Sequence, residues 1–133
     1  MRTIIENAFI IDDDDIYIFG IKKLVQIKKL CKEIHTFSNG FDALQRLKEL
    51  EAQKKPFPEI ILLDINMPVM NGWEFMEKFS EIDESLRKDT KTYMVSSSID
   101  PEDIEKANKL REIEEYIIKP IDLNTLIRIF TTT

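Results

Sequence analysis

Cysteine is nearly missing from this sequence. Cys31 stands alone, so no intramolecular disulfide can form, and the usage fits a reducing compartment. Histidine is equally scarce, and the one imidazole, His35, cannot build a metal site by itself. Three glycines and five prolines exclude a collagen-like or linker-rich chain. No apolar run approaches the ~20 residues that span a bilayer. Met1 to Glu6 lacks the long apolar stretch of a signal peptide, so the expected location is cytoplasmic. Basic residues are outnumbered 19 to 25, a net charge of −6, which argues against a non-specific nucleic-acid or anionic-membrane surface.

What is present is ample for one domain. Of the 133 residues, 43% are hydrophobic and 33% charged, enough for a core and a solvated surface without disulfide or structural metal. Ala8–Ile11 and Ile60–Leu63 are continuously apolar, the pattern of strands buried on both faces of a parallel sheet. Tyr93–Val95 and Tyr116–Ile118 are shorter runs of the same kind, and Lys32–Phe37 is a weaker fifth.

Amphipathic stretches alternate with these runs. Tyr17, Ile21, Leu24 and Cys31 define a first helical stripe, with Ile27 alongside and Cys31 at its end. Ala43, Leu44, Leu47 and Leu50 define a second behind an Asn39 cap, and Phe75, Met76 and Phe79 a third after Gly72, with Trp73 packing at its start. Asp100-Pro101-Glu102-Asp103 reads as a helix start, and Asp122 caps a last helix bearing Leu123, Leu126, Ile127 and Phe130. Gln53–Pro58 reads as a loop. The order, strand then helix five times, predicts a doubly wound five-stranded parallel sheet with helices on both faces, a flavodoxin-like α/β fold.

In such a sheet the ligand site lies outside the carboxyl ends of the strands. Four strand ends there deliver Asp12 to Asp15, Asp64, Ser96 to Ser98, and Lys119-Pro120. Crowded carboxylates repel one another, and a hard divalent cation with oxygen ligands relieves the repulsion. A carboxylate beside such a cation can attack a phosphoryl group to give an acyl phosphate. The metal, a lysine and a hydroxyl then neutralise charge on the transferring oxygens.

Ile11-Asp12-Asp13-Asp14, Leu62-Leu63-Asp64-Ile65-Asn66-Met67-Pro68 with Asn71-Gly72, Val95-Ser96-Ser97, and Tyr116-Ile117-Ile118-Lys119-Pro120 together resemble the CheY-like receiver domains of two-component response regulators. The resemblance covers about residues 7 to 130. It implies a single receiver domain over 1–133, phosphorylated in a Mg²⁺-dependent reaction by a histidine kinase or histidine phosphotransfer protein. By position, Asp64 matches the phosphoacceptor. Asp12, Asp13, Asp64 and the backbone carbonyl of Asn66 match the metal ligands, Asp12 acting through water. Ser96 and Lys119 match the phosphoryl contacts, Ser96 and Tyr116 the switch pair, and Pro120 a proline that follows a cis peptide and aims Lys119 into the site. The implied output is a downstream protein on the face of the fourth helix, fifth strand and fifth helix, with no direct nucleic-acid or membrane partner. Nothing in the chain resembles a DNA-binding or enzymatic unit after the fifth helix.

The departures from the family pattern are few. Ser96 stands where threonine is commoner, Ser97 is slightly larger than the usual alanine or glycine, and Ile121 replaces a frequent phenylalanine. Ser80–Lys91 is charged and long, and is expected to enlarge a helix or loop away from the site. A haloacid-dehalogenase-type phosphohydrolase is disfavoured because Asn66 stands where its general-acid aspartate belongs. A flavodoxin-like nucleotide or flavin binder is disfavoured because the first loop is carboxylate-rich and lacks glycine. His35, Cys31 and the Lys/Glu runs at 22–33 and 102–115 read as structural or solvated.

Overall fold

A computed structural model describes residues 4–131. The apolar runs form the strands β1 (Ile5–Ile11), β2 (Cys31–Phe37), β3 (Ile60–Leu63), β4 (Lys91–Ser96) and β5 (Ile113–Ile118). All pair in parallel, in the order β2-β1-β3-β4-β5. Every residue of β3 is buried, as a central strand covered on both faces requires. The edge strand β2 is the most polar, and its His35 meets the Phe9 ring edge-on at 6.1 Å.

Six helices connect the strands: α1 (Asp15–Ile27), α2 (Gly40–Ala52), α3 (Gly72–Phe79), α4 (Glu84–Arg87), α5 (Pro101–Lys109) and α6 (Leu123–Thr131). Their starts follow the predicted chemistry. Asn39 and Asp100 cap α2 and α5, Pro101 opens α5, and Asp122 accepts from Thr125 N at 2.7 Å to start α6. Asn71 and Glu74 close a reciprocal capping box on α3.

One detail departs from expectation. The first helix ends at Ile27, so Cys31 opens β2 rather than closing the helix. Lys29 at φ 54° turns the chain, and Leu30 N bonds Val25 O while Lys29 N bonds Gln26 O. This Schellman closure stops the helix. The buried stripe is consequently Ile18, Ile21 and Val25, and Ile27 is 61% exposed. The long charged stretch 80–91 adds the one-turn α4, pinned by Arg87 bonds to the carbonyls of Ile82 and Ser80 at 2.8 and 3.1 Å. It feeds the amino end of β4, opposite the carboxylate edge.

Side-chain alternation divides the core into two layers. Ala8, Ile10, Leu62 and Val95 join α1 and α6 on one face of the sheet. Phe9, Ile11, Ile61 and Met94 join α2, α3 and α5 on the other.

Candidate functional site

The run of four aspartates is divided by the end of β1. Asp12 lies just beyond the strand but stays tied to β2, its N–H donating to Phe37 O at 2.9 Å, and is 2% exposed. Asp13 is exposed. Asp14 turns away to cap α1, its Oδ1 accepting from Ile16 N and Tyr17 N, both at 3.1 Å. Asp15 is the first helical residue. At the end of β3, the Asp64 N–H donates to Ile11 O at 2.9 Å, the residue is buried, and its Oδ1 accepts from Ile65 N at 2.8 Å.

The turn beyond Asp64 explains Gly72. Gly72 N reaches back to Ile65 O at 2.8 Å. A Cβ there would overlap the Asp64 carbonyl oxygen, so only glycine lets α3 begin against the strand end. Asn66 stands two positions past Asp64 in the exposed part of this loop.

Carboxylate oxygens from Asp12, Asp13 and Asp64 all lie within 4.8 Å of one another. The Lys119 ammonium joins them, 2.7 Å from Asp12 Oδ2 and 3.7 Å from Asp64 Oδ2. The Lys119–Pro120 peptide bond is cis, and Lys119 N donates to Ser96 O at 2.9 Å. Burial and the neighbouring Asp12 charge push the Asp64 carboxyl up to about 6, against the opposing pull of Lys119 and the Ile65 N–H. Burial works against the Lys119 ammonium, but its bond to Asp12 and the surrounding carboxylates outweigh that and raise its pKa.

Three oxygen donors so close together, with Asp64 electrostatically uncomfortable, suit a small hard cation such as Mg²⁺. The chemistry available is that of a partly desolvated carboxylate nucleophile beside an ammonium group.

Ser96 ends β4 fully buried, and its hydroxyl accepts from Ser98 N at 3.1 Å. The half-buried Tyr116 donates its hydroxyl to Ser98 O at 2.8 Å. Ser98 Oγ in turn donates to Asp103 Oδ2 at 2.7 Å, and Trp73 Nε1 donates to Asp103 Oδ1 at 3.3 Å. One chain of contacts therefore runs from the end of β4 and from β5, through the start of α5, to α3.

A family model described as response regulator receiver domain matches residues 8–131. The chain belongs to the response regulator receiver family. A two-component response regulator from Cytophaga hutchinsonii is 33% identical, with a TM-score of 0.86 over 96% of both chains. The transcriptional regulatory protein LnrK of Bacillus subtilis is 30% identical over 95% of this chain, and the nitrate/nitrite response regulator NarL of Escherichia coli 30% over 92%. The chain spans about half the length of these two relatives, 52% and 51%.

The receiver fold brings Asp12, Asp13, Asp64 and Lys119 together, as the order of motifs predicts. Tyr17 was hidden in the sequence because it fits the first apolar stripe, yet its ring lies under the Lys119 ammonium, 4.3 Å from the centroid. Its place four residues beyond Asp13 was the available signal. The Ser98–Asp103–Trp73 link carries no short-range signal, since 30 residues separate Trp73 from Asp103. Among the described residues no helix is long and apolar enough to cross a membrane.

Proposed function

We propose that this receiver domain, taken as residues 1–133, takes a phosphoryl group on Asp64 from a histidine kinase or histidine phosphotransfer protein, and so switches a partner-binding face. The observation that carries the reading is the convergence of Asp64 with Asp12, Asp13 and Lys119 at one sheet edge. Asp64 attacks phosphorus, the bond from phosphorus to the donor imidazole nitrogen breaks, and the imidazole leaves. Asp12, Asp13, Asp64 and the Asn66 backbone carbonyl would hold Mg²⁺, which when bound neutralises charge on the phosphoryl oxygens. Lys119 pairs with one phosphoryl oxygen and the Ser96 hydroxyl donates to another. These residues act within the chain itself, so the domain promotes its own phosphorylation and the later hydrolysis.

Ser96 and Tyr116 form the switch, and the output face is that of α5, β5 and α6. These are the fourth major helix, fifth strand and last helix once the one-turn α4 is set aside. Tyr116 already reaches the β4–α5 loop through Ser98, which supports coupling between Ser96 and this face. The partner on that face is a protein, and the setting is the cytoplasm.

The test is incubation with Mg²⁺ and acetyl phosphate followed by intact-mass measurement. One phosphoryl group adds to the native chain and none to Asp64→Asn, whose amide is a poor nucleophile. Equal phosphorylation of Asp64→Asn overturns the assignment.

A further inference from the structure

Lys119 has three partners at the site: Asp12, Asp64 and the face of the Tyr17 ring. Two of the three are carboxylates whose charge a bound divalent cation draws upon. The ring is the partner that such a cation does not compete for. We infer that Tyr17 is a positioning residue, holding the Lys119 ammonium at the Asp64 carboxylate through the face of its ring. This rests on the reading of Asp64 as phosphoacceptor.

The geometry is that of a cation–π contact, well inside the roughly 6 Å at which the ring quadrupole attracts an ammonium. The lysine is largely withdrawn from solvent, its side chain 17% exposed, which strengthens the attraction over a surface pair. The ring itself is fixed. Tyr17 lies in the first turn of α1, its N–H is held by the Asp14 cap, and its side chain packs on the core layer of α1 and α6. A lysine on a four-carbon stem loses much rotamer freedom when it is held in one place. A rigid aromatic floor restricts it without adding a charge that would compete with the phosphoryl group.

The Tyr17 hydroxyl is buried and has no hydrogen-bond partner. A donor left in that condition contributes nothing favourable, so the useful part of the side chain is the ring. Phenylalanine should therefore serve as well as tyrosine at this position.

The experiment is a double-mutant cycle of Tyr17→Leu and Lys119→Met, with Tyr17→Phe as the conservative variant. Urea unfolding in EDTA reads the contact without metal or phosphate. Tyr17→Leu is expected to lower the folding equilibrium constant about three- to tenfold more in the native background than in the Lys119→Met background. With Mg²⁺ and acetyl phosphate, Tyr17→Leu should slow phosphorylation by about the same factor, again only while Lys119 is present. Tyr17→Phe should phosphorylate at the native rate and be at least as stable as the native chain in urea, because it removes a buried hydroxyl without a partner. Additive effects in the unfolding cycle overturn the contact. Coupling in unfolding with an unchanged phosphorylation rate overturns the positioning role. A Tyr17→Phe variant as slow as Tyr17→Leu transfers the effect to the hydroxyl and overturns the inference. Should Asp64→Asn still accept phosphate, the phosphoacceptor reading fails, while the unfolding cycle still scores the contact between Tyr17 and Lys119.

Discussion

Lys119 Nζ lies 2.7 Å from Asp12 Oδ2, so the ammonium rests on one of the clustered carboxylates proposed to hold Mg²⁺. With Asp64 at 3.7 Å, the lysine compensates the acidic cluster unevenly. On the proposed reading, Mg²⁺ entry would exchange one compensating charge for a stronger one.

Mg²⁺ should stabilise the fold by mass action. At a hundredfold excess over Kd the gain is about 2.7 kcal/mol, roughly 10 °C in melting temperature for a domain of this size. Asp13→Ala should raise the melting temperature in EDTA, because it removes one of the clustered carboxylates, and should abolish the Mg²⁺ response. Calorimetry with and without millimolar Mg²⁺ checks both. A native protein indifferent to the ion contradicts the metal site.

Asp64 should give the metal-free protein a distinctive pH dependence. Burial and the neighbouring Asp12 charge push its carboxyl up to about 6 in the folded chain, from an ordinary value near 3.8. Between those two values the folded chain holds a proton that the unfolded chain has released, so stability falls as pH rises through the window. In EDTA, Asp64→Asn should melt a few degrees above the native protein at neutral pH, and the gap should close as pH drops to about 4. A gap of constant size across that range would mean Asp64 is not destabilised by its surroundings.

Gly72→Ala should be among the costliest single-methyl changes in the chain. The added carbon overlaps the Asp64 carbonyl oxygen, and relieving such overpacking costs about 1–3 kcal/mol. Phosphorylation of Asp64 should slow in the same variant, because the backbone carrying the nucleophile must shift. Gly20 provides the contrast. It is an exposed position within α1 with nothing near its added Cβ, so Gly20→Ala should stabilise by about 0.5–1 kcal/mol. Urea unfolding of the two variants decides; equal effects would refute the packing argument.

Trp73 is the only tryptophan and is tied to the β4–α5 loop through Asp103. Mg²⁺ with beryllofluoride, a mimic of the phosphoryl group, should therefore change its emission. Asp103→Ala should reduce that change to less than half. Ser96→Ala should leave Asp64 phosphorylatable while weakening both the emission change and the amide-exchange response over residues 96–130. Identical responses in the native chain and Ser96→Ala would exclude this route.

The parts legible in the sequence are those set by short-range patterning. Ile60–Leu63 could be read as a central strand because four consecutive apolar residues have no other comfortable place. Asn39, Asp100 and Pro101 announced helix starts because capping is a matter of a few adjacent residues. Asp12, Asp13, Asp64 and Lys119 were legible because each follows an apolar run and parallel strands end on the same side. The end of α1 was not, since the chain turns at a lysine rather than a glycine and Cys31 continued the helical spacing. Nor was the capping role of Asp14, which depends on where the strand stops. Residues 80–91 were legible only as an enlarged helix or loop, because the four-residue α4, held by Arg87 to the nearby Ile82 and Ser80 carbonyls, is too short to show a helical period.

The two core layers have a consequence for how such a domain can diversify. Tyr17 packs with the layer on the α1 and α6 side of the sheet, while Tyr116 and Trp73 pack with the layer on the other side. The ring beneath the lysine and the aromatic groups linked to the β4–α5 loop thus pack on opposite faces of the sheet. Substitutions that remodel the α3 and α5 side can accumulate without repacking the floor beneath Lys119.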